Sequence, residues 1–376
     1  MRLLLGAALM SVCLASTPIP RDPWWSPTLE RGIWDVGFTA VLLADTARHL
    51  GVRPRPLQLA LWYPAPTSPG APLSYSDYLR LSAAETTSVD TAQLGLKAID
   101  ERCAFLAAHA IAESTVTRWF TAPMLAKRDI PPARGPFPLV LIAQGNGESA
   151  VDQSVLAEYL ASWGYVVATT PSQARITGQP ESESDVGVAA LDQANDLAAL
   201  RAALRYRTEI TPGRVGVVGY SFGARGALLY AMRDSTVSAI VSLDGGIGTA
   251  TARSFYEAAP ERAFTPRTVR AAILHIYEQL DPEMTPDWTI LRKLDPAPVW
   301  IVRTRALHHQ HFSTIGAAVG AFPALASAAG ATPETAREYS GVLAMTRAFL
   351  AAHVRGDTTF TGGRVGSLVA VRLAPR

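Results

Sequence analysis

The chain has 376 residues, 48% of them hydrophobic and only 18% charged, a balance that suits a globular protein with a sizeable core and excludes a disordered chain. Its 34 Lys and Arg against 32 Asp and Glu leave a formal charge of +2, with the basic residues scattered along the sequence. Such a distribution gives no patch to recruit nucleic acid or an anionic membrane surface.

The N-terminus reads Met1-Arg2, then an apolar stretch from Leu3 to Leu14, then Ala15-Ser16-Thr17-Pro18. One basic residue, a short apolar core and a small-residue exit describe a secretory signal peptide over residues 1–16. Cys13-Leu14-Ala15 would be its cleavage site, with the mature chain starting near Ser16 or Thr17. A second reading anchors the chain by a lipid on Cys13, but Met10-Ser11-Val12 lacks the small residue that precedes a lipidated cysteine. The stretch is short for a bilayer and no later segment approaches such a run, so no integral membrane span is expected. The expected location is therefore secreted or periplasmic. Cys103 is then the one remaining cysteine, and stability must come from core burial without a disulfide. Within the apolar pattern Arg102-Cys103-Ala104-Phe105-Leu106 it is expected to pack and not to react.

Residues 17–30 are rich in Pro and Trp and read as an extended lead-in to a single domain over 17–376. Two strand-like runs follow, Ile33 to Leu43 and Leu57 to Tyr63, the second stopped by Pro64. Residues 66–135 read as an inserted helical segment, with Asp90 to Ala112 its best amphipathic stretch. A regular alternation then begins. Strands are expected at Phe137 to Ala143, Tyr165 to Thr169, Val215 to Val218, Val237 to Leu243, Ala271 to Tyr277 and Val299 to Thr304. Helices are expected at Val151 to Trp163, Val186 to Tyr206 and Gly341 to Val354, with further insertions near 247–270 and 278–297. Strands that are apolar throughout and alternate with helices predict an α/β fold, a mainly parallel sheet covered on both faces. Residues 355–376 form a tail without a clear assignment.

Gly219-Tyr220-Ser221-Phe222-Gly223 stands directly between the strand run Val215-Gly216-Val217-Val218 and the helix-like Ala224 to Tyr230. A G-x-S-x-G sequence between a strand and a helix is the nucleophile elbow of α/β-hydrolases, with Ser221 exposed at the apex of a tight turn. A serine hydroxyl needs a histidine base, and the base needs a carboxylate partner. In this fold both follow the serine in the chain. The histidines so placed are His308, His309 and His311, just after the last core strand; His275 lies within a strand and His353 within the final helix. The carboxylate candidates are Asp244 and Asp281, both at the ends of strands where ligands gather in open α/β sheets. The oxyanion donors are expected at the amide of Phe222 and in the glycine-rich turn Gln144-Gly145-Asn146-Gly147-Glu148, with Asn146 as the second donor.

With these residues in hand, the chain resembles the platelet-activating-factor acetylhydrolase and dienelactone-hydrolase-like branch of the α/β-hydrolases. The likeness is carried by Trp62-Tyr63-Pro64, by Pro138 to Ile142 leading into Gln144-Gly145-Asn146-Gly147, by the elbow, by Ser242-Leu243-Asp244-Gly245 and by His309-Gln310-His311-Phe312. The acetylhydrolase pattern implies Asp244 as the acid and His309 as the base. The dienelactone-hydrolase pattern places the acid one strand later and implies Asp281 as the alternative. Gln144 stands where the family has histidine, and Ala224 where it has a second glycine. The function so implied is a secreted serine hydrolase that cleaves small-molecule or lipid esters through an acyl-enzyme on Ser221, needing no metal or organic cofactor. An amidase or peptidase with the same triad and a non-catalytic binding protein on this scaffold are the alternatives, and the presence of Ser221, Asp244 and His309 together weighs against the last. Polar loop 171–184 and segments 247–270 and 278–297 are expected to line the substrate pocket, and the Phe255, Tyr256, Phe264 and Trp288 they contain suit core packing equally well.

Overall fold

A computed structural model describes residues 22–86, 91–252 and 264–374; the signal-peptide and Cys13 readings, and Phe255 and Tyr256, lie outside them. The described strands form one sheet in the order β10 (Gly363–Val365), β11 (Leu368–Arg372), β9 (Val299–Arg303), β8 (Ala272–Tyr277), β7 (Val237–Leu243), β6 (Ile210–Tyr220), β4 (Phe137–Ala143), β5 (Val166–Thr170), β2 (Arg53–Ala65), β1 (Asp35–Leu50), β3 (Ala126–Arg128). Its centre holds β4 (Phe137–Ala143), β5 (Val166–Thr170), β6 (Ile210–Tyr220), β7 (Val237–Leu243), β8 (Ala272–Tyr277) and β9 (Val299–Arg303), each parallel to its neighbours among these six. That is the parallel sheet the apolar runs predicted.

Both faces are covered, which is why these strands read as near-continuous apolar runs. Along β4, Val140 and Ile142 join a core cluster with α4 (Ser154–Ser162) and the closing helix Thr335–Leu350. Leu139, Leu141 and Ala143 join the opposite cluster, packed under α6 (Glu183–Leu204) and α7 (Gly223–Ala231). Chain order matters for function here. After β4 the chain forms β5 on one side, then crosses to β6 on the other. The carboxyl ends of β4 and β6 therefore flank a reversal in strand order, the place where open α/β sheets bind ligands.

Three departures from the sequence expectation stand out. The first hairpin is longer than its apolar runs, with β1 (Asp35–Leu50) paired antiparallel to β2 (Arg53–Ala65). Pro64 does not end that ladder, since Val36 still pairs with it. β5 touches β2 only at Ala60–Trp62, so Pro54, Pro56 and Pro64 fall where β2 has one strand neighbour and a missing N–H costs little. Second, the C-terminal tail is a hairpin, β10 (Gly363–Val365) and β11 (Leu368–Arg372), that extends the sheet antiparallel to β9. Third, the polar loop at 171–184 contains a short helix, α5 (Gln173–Thr177).

The helical segment between β2 and β4 is α1 (Tyr75–Leu81), α2 (Thr91–Ala108), α3 (Glu113–Thr121) and the edge strand β3 (Ala126–Arg128). Cys103, on α2, is half-buried against the core, and burial raises its thiol pKa, which suits a packing residue. Glu158 of α4 fastens this segment to the sheet. Its fully buried carboxylate accepts hydrogen bonds from Trp25 Nε1 (2.8 Å), Tyr78 Oη (2.8 Å) and the amides of Leu125 (2.9 Å) and Ala126 (3.0 Å). Tyr78 in turn accepts from Trp62 Nε1 of β2 at 2.7 Å. One carboxylate thus ties the lead-in, α1, β2 and β3 together. Truncation would strand four buried donors at about 1–3 kcal/mol each. Glu158→Ala is therefore expected to lower the free energy of unfolding by at least ~3 kcal/mol in urea titrations, and Glu158→Gln, which keeps one acceptor oxygen, by less. Equal midpoints for Glu158→Ala and the parent would refute this.

Candidate active site

β6 ends at Tyr220 and α7 begins at Gly223, so the chain reverses over two residues. Ser221 does this in the left-handed region, φ +52°. A Cβ on Gly219 would lie 2.5 Å from Ala224 Cα, and one on Gly223 only 2.1 Å from Ala143 O. The two glycines are therefore required by the close approach of strand and helix backbones. Ala224 is tolerated in place of a further glycine because its Cβ faces Gly245, where an added Cβ would sit at 2.3 Å. Backbone hydrogen bonds from Ser221 N–H to Leu243 O (3.0 Å) and from Gly246 N–H to Ser221 O (3.0 Å) hold the turn against β7.

His309 opens a single 3-10 turn, His309–Phe312, after β9. Its Nε2 lies 2.9 Å from Ser221 Oγ and its Nδ1 lies 2.6 Å from Asp244 Oδ2. Asp244 follows β7 with φ +42°, is 1% exposed, and accepts a second hydrogen bond at Oδ1 from Glu278 N–H (3.1 Å). The structure thus brings Ser221, His309 and Asp244 into one hydrogen-bonded chain. It keeps Asp281 off the imidazole nitrogens of His309. The Asp281 carboxylate meets His308 Nδ1 at 2.9 Å and accepts from His309 N–H at 3.2 Å.

The three clustered histidines are sorted by burial and partner. His311 is buried, accepts from His308 N–H at Nδ1 (3.0 Å), and has its pKa pushed down to about 4 by that burial. His275, inside β8, meets Ser242 Oγ at 2.9 Å and does not face the serine's hydroxyl chain. Two carboxyls beside the site were not singled out by the sequence. Glu278 is buried near Asp244 and Asp281, and burial first, then those charges, raises its pKa to about 7. Burial likewise raises the Glu148 carboxyl well above its ordinary range, with Asp152 adding to the shift. Neither carries a signature in an isolated sequence, because the largest cause of both shifts is burial, which only tertiary packing sets.

In the turn after β4, three of four amides are engaged. Gly145 N–H donates to Glu148 Oε2 (3.1 Å), Gly147 N–H to Ser172 Oγ (3.0 Å) and Glu148 N–H to Gly145 O (3.1 Å). Among the described residues, the amides of Asn146 and Phe222 have no protein acceptor. Gln144 is fully buried and turned inward, donating to Ala150 O (3.2 Å) and Thr169 Oγ1 (3.0 Å), so it braces the turn from beneath. The Asn146 side chain donates to Gln179.

A cavity of about 870 Å³ opens beside this arrangement at Asn146, Tyr220 and Gln310. Its far wall is the helical segment after β2, through Tyr75, Leu79, Leu106, Ile111 and Trp119. This corrects the expected lining. Loop 171–184 contributes Arg175, whereas Trp288 packs on Tyr277 and His275 (ring centroids 4.9 and 5.6 Å) and Phe264 packs against the core under α7.

The PET hydrolase-like family matches residues 133–254, about a third of the chain, from β4 through the elbow to just beyond Asp244. Among solved structures, a ferulic acid esterase from Streptomyces cinnamoneus superposes with a TM-score of 0.66 at 19% identity, over 91% of this chain and 98% of that one. No curated protein matches the sequence significantly. These likenesses agree with the fold that the elbow implied.

Two outcomes follow from the backbone and burial at the site. Ser221→Gly and Ser221→Ala both remove the hydroxyl, but only glycine relieves the left-handed strain, so Ser221→Gly is expected to be the more stable by about 0.5–1 kcal/mol in thermal unfolding. The reverse order would show that the turn is unstrained. Burial also lowers the His275 pKa from 6.5 to about 3. Between those values only the unfolded chain takes up the proton, so stability is complete above pH 6.5 and falls on acidification towards pH 3. The slope is on the order of 1.4 kcal/mol per pH unit. His275→Gln is expected to flatten the loss of stability between about pH 6 and pH 4; an unchanged slope would assign it to other groups.

Proposed function

We propose that this chain, which has the α/β-hydrolase fold, is an exported serine hydrolase that cleaves carboxylic esters through an acyl-enzyme on Ser221. The observation that carries this reading is the continuous Asp244–His309–Ser221 hydrogen-bond chain at the carboxyl edge of the sheet. His309 Nε2 takes the Ser221 proton as Oγ attacks the ester carbonyl. Asp244, on Nδ1, holds the imidazole in the tautomer that accepts at Nε2 and stabilises the imidazolium. The amides of Phe222 and Asn146, left without protein acceptors, receive the oxyanion. The imidazolium then protonates the departing alcohol, and a water activated by His309 releases the acid.

The substrate reading rests on the cavity. At about 870 Å³ it lies near the top of the ~300–1,000 Å³ range of pockets that take drug-sized ligands, and an acetyl group would leave it largely unfilled. The wall formed by Leu79, Leu106, Ile111 and Trp119 suits a bulky, mostly apolar acyl or alcohol portion, from a small molecule or a lipid. The acetyl preference of the acetylhydrolases is not carried over. The solved neighbour is an esterase by name and the matching family is a hydrolase of a polyester by name, which supports ester cleavage over amide cleavage. No described helix is long and apolar enough to cross a membrane, and export rests on the apolar run Leu3 to Leu14 before Ala15.

A p-nitrophenyl ester series from acetate to palmitate, with matched anilides, tests the reading on chain expressed with its own leader. Activity is expected outside the cytoplasm, on a product starting near Ser16 or Thr17, with kcat/KM rising from acetate to bulkier acyl groups. Ser221→Ala is expected to fall to background and Asp244→Asn by about 10⁴-fold in kcat. Anilide cleavage at ester rates would favour the amidase reading, and an active Ser221→Ala would sink the acyl-enzyme.

A further inference from the structure

Both polar groups of the His309 main chain are held by side chains from other elements. Its N–H donates to Asp281 Oδ2 at 3.2 Å, and its C=O accepts from Tyr220 Oη at 3.1 Å. The Tyr220 ring also stacks on the His309 imidazole, with centroids 5.1 Å apart and planes 27° from parallel. Tyr220 is the residue immediately before Ser221, so the chain that carries the nucleophile also grips the base. Asp281 is itself braced, because Glu278 Oε2 accepts from the amides of Leu280 and Asp281, the latter at 3.0 Å. Glu278 N–H meanwhile donates to Asp244 Oδ1 at 3.1 Å. The short stretch 278–281 therefore touches Asp244 and His309 together.

We propose that Asp281 and Tyr220 are positioning residues, a two-sided clamp on the His309 backbone that places its imidazole between Asp244 and Ser221. The inference rests on the Ser221–His309–Asp244 reading above and adds the device that makes that geometry reproducible. His309 belongs to a one-turn helix after a loop, and such a backbone is not held by a ladder or a long helix. Asp244 reaches only the ring. Without the clamp the ring can pivot about Asp244 and drift from Ser221 Oγ, and displacements on the order of 1 Å cost about 10²-fold in rate. Burial raises the Asp281 pKa, but the hydrogen bonds from His308 and His309 outweigh it and hold the carboxyl below its ordinary value, so the clamp is anionic at neutral pH.

The test uses the full chain, with active sites counted by a serine-reactive phosphonate burst so that misfolded protein drops out. Asp281→Ala is expected to lower kcat by about 10- to 100-fold with KM changed less than about twofold. Asp281→Asn keeps an oxygen for His309 N–H and is expected to recover most of that loss, while the acid limb of kcat/KM moves to lower pH because a negative charge near the imidazolium is gone. Tyr220→Phe keeps the stacked ring, loses the hydrogen bond to His309 O, and is expected to lower kcat several-fold. The double variant Asp281→Ala/Tyr220→Phe is expected to be non-additive, since both act on one imidazole. If Asp281→Ala does not fold, Asp281→Asn and Tyr220→Phe still decide through the pH profile and kcat. Wild-type kcat and pH profile in both would overturn the clamp while leaving the triad standing. A loss in Asp281→Asn as deep as in Asp244→Asn would instead make Asp281 the catalytic acid and overturn both readings.

Discussion

The left-handed backbone at Ser221 is the constraint around which the rest of the site is arranged. At φ +52° the residue gives up on the order of 1–2 kcal/mol, and it does so where a parallel strand must become a helix within two residues. The turn is kept because neighbours over-determine it. Its N–H is spent on the O of Leu243, the last residue of β7, and its C=O on the N–H of Gly246 in the loop that follows. Asp244 sits at that same strand end with its own left-handed φ of +42°. Two left-handed residues at the ends of adjacent strands are thus each fixed by the next strand along, Ser221 by Leu243 O and Asp244, through its own N–H, by Ile276 O of β8 at 2.7 Å.

That edge explains why the functional side chains converge although they lie far apart in the chain. β4, β6, β7 and β8 stand side by side, so the turns after them, carrying Asn146, Ser221, Asp244 and Asp281, emerge next to one another. β9 lies beyond β8, and the loop after it brings back His308 and His309. Parallel order does this without any specific recognition between the turns. Side chains then sort the candidates: Asp244 is buried and takes the ring of His309, whereas Asp281 is partly exposed and takes its backbone and the neighbouring ring.

The helical segment after β2 has a different dependence. It covers the cavity, yet it is attached to the sheet chiefly through apolar packing and the buried carboxylate of Glu158. A single acceptor pair serving Trp25, Tyr78, Leu125 and Ala126 couples the position of that wall to α4, which starts just after the turn holding Asn146. The wall of the cavity and the turn holding Asn146 are therefore linked through one helix.

The strands were legible because a sheet buried on both faces demands near-continuous apolar runs, and such runs are visible one by one in β4, β7 and β8, broken only by residues such as the buried pair Ser242 and His275. The elbow was legible because its glycines answer to contacts within five residues of themselves or with the adjoining strand. The C-terminal hairpin went unread although Leu368 and Ala370 are buried and Val369 and Val371 exposed, since a five-residue alternation is weak evidence without knowing that β9 has a free edge. The pocket wall was illegible for a like reason: which loops face a site is a matter of packing, and an aromatic such as Trp288 suited a pocket or a core equally until its packing against His275 and Tyr277 placed it in the core. By itself, the sequence determined the parallel α/β architecture, Ser221 at its turn and the short list of partners, because each depends on local pattern. Only the tertiary structure shows that Asp244 and not Asp281 meets the ring of His309, that His309 and not His308 or His311 meets Ser221, and where the cavity lies. Those choices turn on distances of a few ångströms between residues many positions apart, and no local pattern encodes them.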